Sequence, residues 1–121
     1  MEVRLDPSTL DNTFAALADP TRRTVVSLLR RGPLRAGELA TALGSTPAGL
    51  SRHLKVLRES GLVTEVPLAE DARVKLLSLR RAPFEQLRGW VEEVEEFWTD
   101  QLASFKAHAE RTRGHKRGSE S

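Results

Sequence analysis

Between Gly37 and Gly61 the chain reads GELATALGSTPAGLSRHLKVLRESG, and within it Ser51, Arg52 and Lys55 bring a hydroxyl and two cations close together. With residues 46–59 set at about 100° apiece, the three share an arc with Ala48, and Arg58 and Glu59 lie further along. Leu50, Leu54 and Leu57 fall opposite, with His53 and Val56 at the margin. The leucine side must face a core. Cations among small residues on the other side suit an anionic partner whose grooves admit a helix, which is a description of duplex DNA. Other chemistry is poorly served: the sequence shows no nucleophile with a base partner, no glycine-rich phosphate loop and no metal cluster. It contains no cysteine, which rules out disulfides, thiolate metal sites and thiol redox sensing within this sequence.

Such a helix has to be started, stopped and presented. Leu39, Ala40, Leu43 and Gly44 predict a short preceding helix, with Ala40 small enough for close helix approach and Gly44 free to take a positive φ in the turn. Thr46 is a capping residue, Pro47 suits the first helical position, and Gly61 is a left-handed stop. The pattern is that of a helix-turn-helix over residues 37–61. Gly49 costs the helix about 1 kcal/mol relative to alanine, and close approach to a phosphate and neutral drift both account for it. His53 borders the apolar arc, where a packed or backbone-bonded ring and a base contact are both open.

The flanking sequence supplies the frame. Residues 1–8 are expected to fray, although Asp6, Pro7 and Ser8 can start a helix bearing Leu10, Phe14 and Leu17. Asp19-Pro20 opens a second helix, TRRTVVSLLRR, with Val25, Val26, Leu28 and Leu29 as core and Gly32-Pro33 as its end. Arg22 and Arg23 sit in its first turn, where the helix dipole disfavours cations. An external anion, a carboxylate or plain solvation can answer that. Leu34-Arg35 predicts a one- or two-residue strand. After Gly61 the period changes, and LVTEV, PLAED and ARVKLLSL predict a β-hairpin, a wing over 62–79. Arg73 and Lys75 on its returning strand can meet phosphates, while Glu70 and Asp71 oppose an approach by the tip itself.

From Pro83 to Arg111 one long helix is expected, with Phe84, Leu87, Val91, Val94, Trp98, Leu102 and Phe105 at intervals of three and four. Trp90 and Phe97 widen the stripe beyond what a small domain covers, so a second copy of the chain is the expected partner. A helix folded back on its own domain is the alternative. Residues 112–121 read as a flexible basic tail.

The 121 residues are one domain's length, and 19 Lys plus Arg against 17 Asp plus Glu leave a net charge of only +2. The distribution is more telling than the sum. Residues 1–81 hold thirteen cations and nine acids, whereas 82–109 hold two and six. Part of the surface therefore suits an anion and part does not. No stretch approaches the ~20 apolar residues of a membrane span, and MEVRLDPSTL lacks a secretion signal's apolar run, so a cytoplasmic location is expected.

Laid out this way, the chain resembles the ArsR family of bacterial winged-helix repressors over roughly residues 10–109. LADPTRR, GELATALG, LSRHLKVLRESGLV and the FW pair of the last helix carry the likeness. The resemblance implies a mainly α winged helix-turn-helix with a small β-hairpin, spanning 9–111, with a dimerisation helix at 83–111. It implies a homodimer held by the first and last helices, a pseudo-palindromic DNA operator read by Thr46 through Ser60, and repression relieved by an effector. The expected DNA-contacting residues are Thr46, Ala48, Ser51, Arg52, His53 and Lys55, with Arg73 and Lys75 from the wing. The expected dimer seam is Leu10, Phe14, Leu17, Trp90, Val91, Val94, Phe97, Trp98, Leu102 and Phe105.

The sequence departs from the family pattern in places. The metal-binding cysteines found in many members are missing from Glu38–Leu43, and no Asp-x-His group lies near His108 or His115, so neither metal nor cofactor is expected and a small molecule is the possible effector. Glu70-Asp71 replaces a basic wing tip, and Leu77 a tyrosine. Arg35 stands where a capping Ser or Thr is common, a loss of up to about 1 kcal/mol. The alternative is a winged-helix protein-interaction module that no longer binds DNA specifically.

Overall fold

A computed structural model describes residues 7–120, with side chains from Ser8 to Thr112. The frayed end expected over residues 1–8 falls largely outside this range, as do the tail side chains beyond 112. The elements run α1 (Pro7–Leu17), α2 (Pro20–Leu29), α3 (Ala36–Ala42), α4 (Pro47–Glu59), β1 (Val63–Pro67), β2 (Lys75–Leu79) and α5 (Arg81–Glu120). The chain divides into two compact units, Met1–Leu87 and Arg88–Ser121.

The first unit is a mainly helical winged helix-turn-helix. Val25 and Leu29 of α2, Leu39 and Ala40 of α3, and Leu50, Leu54 and Leu57 of α4 meet Leu62, Val63 and Leu77 in one buried cluster. Each fully buried leucine or valine contributes roughly 1.5–3 kcal/mol through lost contact with water. Phe84, near the start of α5, packs against the same cluster. Strands β1 and β2 pair antiparallel from Val63↔Leu79 to Pro67↔Lys75. Leu34 adds the predicted minimal strand: its N–H donates to Leu77 O at 3.1 Å and Leu77 N–H returns a bond to Leu34 O at 2.7 Å. Leu77 is 3% exposed, so the residue in the usual tyrosine position is a core leucine.

The helix ends follow local chemistry. Asp19 Oδ1 accepts the Arg22 N–H at 3.1 Å to cap α2, and Pro20 fills its first turn. At α3 the Arg35 side chain makes no capping bond, as a group without acceptors must, but Glu38 Oε1 accepts the Arg35 N–H at 2.8 Å. Half of a capping box thus offsets the missing hydroxyl. Gly44 at φ 65° turns the chain into α4, and Gly61 at φ 82° ends that helix.

The second unit is the rest of α5. That helix is described through Glu120, so it continues past the boundary expected at Arg111. Val91, Phe97, Trp98, Leu102 and Phe105 are exposed along it, the last four between 57% and 73%. Phe97 and Trp98 meet edge to face, with centroids 5.8 Å apart. Among the described residues no helix is long and apolar enough to cross a membrane.

Candidate nucleic-acid interface

Helix α4 starts where Thr46 Oγ1 accepts the Gly49 N–H at 3.0 Å, with Pro47 at the first helical position. The turn before it is closed by Ser45 N–H donating to Ala40 O at 2.8 Å. Gly49 lies against the hydroxyls of the turn that precedes it. A Cβ there would lie 2.7 Å from Ser45 Oγ and 3.2 Å from the capping Thr46 Oγ1, so the crowding comes from the turn itself.

The wheel drawn from sequence is the wheel observed. Leu50, Leu54 and Leu57 are buried, His53 and Val56 are half-buried, and Thr46, Ala48, Ser51, Arg52 and Lys55 are exposed. Arg52 and Lys55 have no ion-pair partner among the described residues, so both cations are available to an external anion. Arg58 is otherwise engaged, with its guanidinium 3.8 Å from Glu65 of β1.

His53 faces inward. Its Nδ1 lies 3.4 Å from the Arg22 guanidinium and 3.8 Å from Asp19 Oδ1, and its side chain is 27% exposed. The ring is therefore tied to side chains of α2 and the loop before it. Arg22 and Arg23 are answered by backbone carbonyls. Arg22 donates to Ala16 O at 2.7 Å and Ala15 O at 3.3 Å, and Arg23 to Leu17 O at 2.7 Å. Both cations satisfy the open carbonyls at the C-terminus of α1, where the helix dipole favours positive charge. The Arg22 N–H, foremost, holds the Asp19 carboxyl below the usual carboxylate range; burial opposes it, and the nearby positive charge adds a lesser lowering.

The two wing cations differ. Lys75 is exposed and has no ion-pair partner among the described residues. Arg73 is clamped within the tip: Nε and Nη2 donate to the two Asp71 oxygens at 3.1 Å each, and its backbone N–H donates to Oδ1 at 3.0 Å. Those contacts, the side-chain one foremost, lower the Asp71 pKa, and the same carboxylate raises that of Arg73. Together with Glu70, the tip has no surplus positive charge to offer a phosphate.

A helix presenting unpaired cations and a hydroxyl, entered by a tight glycine turn and followed by a hairpin, defines a winged helix-turn-helix DNA-binding transcriptional regulator. The profile of the bacterial regulatory proteins of the arsR family matches residues 19–65. The HTH-type transcriptional regulator Rv2034 of Mycobacterium tuberculosis is 36% identical over 95 residues, covering 78% of this chain and 83% of its own. The transcriptional repressor SdpR of Bacillus subtilis is 32% identical over 56 residues, 46% of this chain and 62% of its own. The crystal structure of the ArsR family transcriptional regulator RHA00566 superposes with a TM-score of 0.67 at 32% identity, covering 79% of this chain and 96% of that one. The chain belongs to the ArsR family. Its relatives and its fold are those of regulators, a class without enzymatic activity.

Proposed function

We propose that the protein is a homodimeric repressor acting in the cytoplasm, which seats α4 of each protomer in successive major grooves of a pseudo-palindromic operator. The observation that carries this reading is the division of α4: a buried leucine side fixes the helix, while Ser51, Arg52 and Lys55 stand exposed on the other. Arg52 and Lys55 contact base edges or phosphates, Ser51 a base edge or phosphate, and Thr46 and Ala48 line the approach at the N-terminal end. Lys75 reaches the backbone beside the groove. Arg73 contributes less, because Asp71 already holds it.

The dimer seam combines α1 and α5. Phe14 of α1 is about two-fifths exposed, and along α5 Trp90, Val91, Phe97, Trp98, Leu102 and Phe105 form an exposed apolar stripe of their own. An apolar surface of that extent favours burial against a second copy. Val94 and Leu17 are half-buried. Leu10 is only 9% exposed, so it has little surface left to give and supports α1 from within. That SdpR is named a repressor supports repression as the mode of action. A cysteine-free sequence favours a small-molecule effector over a thiolate-bound metal.

The test uses duplexes that the protein itself selects from a randomised pool. Arg52→Ala should weaken binding about 5- to 150-fold and relax preference at one position of each half-site, the cost of about 1–3 kcal/mol for a good bidentate contact. Undiminished affinity and selectivity would remove Arg52 from the interface.

A further inference from the structure

We propose that Arg22 is a positioning residue that ties the C-terminal end of α1 to the recognition helix through His53, so that α1 helps to set where α4 stands on DNA. Its guanidinium reaches three acceptors on two elements: Ala16 O at 2.7 Å, Ala15 O at 3.3 Å and His53 Nδ1 at 3.4 Å. The planar fork of arginine can do this from one rotamer, whereas the single ammonium of lysine cannot cover the same spread. Asp19 steadies the base of the fork by accepting the Arg22 N–H at 3.1 Å.

The link also dictates the state of the ring. A guanidinium only donates, so Nδ1 must accept and the ring proton resides on Nε2. Asp19 Oδ1, at 3.8 Å from Nδ1, lies beyond hydrogen-bond reach, and its charge is the weaker, competing pull toward an Nδ1–H ring. His53 lies between two residues assigned to DNA, Arg52 on one side and, two positions on, Lys55. A ring fixed in one tautomer against α2 fixes the azimuth of that stretch of α4. The inference rests on the proposed seating of α4 in the groove, and its closing experiment has one reading that needs no DNA.

That reading is 15N NMR of the histidine rings of the full chain near neutral pH. His53 of the wild type should carry its proton on Nε2, and Arg22→Met should shift population to the Nδ1–H form facing Asp19. On duplexes selected by the wild type, Arg22→Met should bind about 2- to 30-fold more weakly, a range typical of mutations that act through an intervening contact. Binding to a random-sequence duplex should change less than that. Arg22→Lys, which keeps the charge and loses the fork, should bind as weakly as Arg22→Met. A wild-type ring protonated on Nδ1, unchanged affinity in Arg22→Met, or full rescue by lysine would each overturn the proposal, rescue because it would make Arg22 a simple charge. If the wild type selects no duplex, the DNA reading fails by itself while the ring measurement still decides the link.

Discussion

Asp71→Asn should add Arg73 to the DNA contact that Lys75 makes from the wing. In the wild type the tip and its returning strand hold Glu70, Asp71, Arg73 and Lys75, two charges of each sign, and Arg73 is bound to Asp71 through both side-chain oxygens. Asparagine keeps an oxygen for the Arg73 N–H that organises the turn, but removes the charge that occupies the guanidinium. Each cation newly placed on a phosphate steepens the plot of log affinity against log salt by about 0.9, so two protomers steepen it by about 1.8. Across a change from about 50 to 200 mM salt, that is an extra loss of affinity of roughly twelvefold, with tighter binding at the low-salt end. Fluorescence anisotropy on a selected duplex, over that range, reads both quantities. Arg73→Ala should alter the slope little in the wild type and abolish the gain in the Asp71→Asn background. An unchanged slope in Asp71→Asn, or an equal effect of Arg73→Ala in both backgrounds, would refute the idea that Asp71 holds the wing's arginine back from DNA.

Three further outcomes follow from other parts of the molecule. Lys55→Ala should weaken binding to selected and random duplexes alike if it meets a phosphate, with the salt slope reduced by about 1 per protomer, as a titration at several salt concentrations would reveal. Phe105→Glu should shift the protein to monomer in sedimentation at micromolar concentration, because a charge replaces a side chain that is 73% exposed on the proposed seam. The mutant should retain its fold by circular dichroism while losing operator affinity. Asp19→Ala should destabilise the protein at neutral pH. The Asp19 carboxyl titrates below its ordinary value of 3.8 when folded, so its contribution is present above that value and fades as pH falls through the lowered one. Denaturant midpoints of wild type and Asp19→Ala should therefore converge on acidification and differ at pH 7.

What the sequence revealed and what it hid divide along a physical line. The α4 wheel, its Thr46 and Pro47 start and its Gly61 stop are local matters of period and backbone chemistry, and the fold has them where the residues place them. The bridge at Leu34 was legible for a similar reason, since Gly32-Pro33 ends one helix and a short extended stretch must follow. The partners of Arg22 and Arg23 were not. Their position in a first turn signalled that the charges needed an answer, but the answer is backbone carbonyl oxygen left open where α1 ends, and carbonyls have no signature in a sequence. His53 was ambiguous on the wheel because a marginal position can face either way, and only the proximity of Arg22 across the fold turns it inward. At the wing, Glu70 and Asp71 announced repulsion toward DNA, yet the clamp on Arg73 depends on turn geometry that residue types alone do not specify.

The central claim is that two copies join through α1 and α5 and present their α4 helices on one face of a duplex. Hydroxyl-radical footprinting of the purified protein on a selected duplex tests it most directly. It should give two symmetric protected half-sites with centres about one duplex turn apart, ~34 Å, and Phe105→Glu should abolish the paired pattern. A single protected half-site from the wild type, or a paired pattern that survives in a monomeric Phe105→Glu protein, would contradict it.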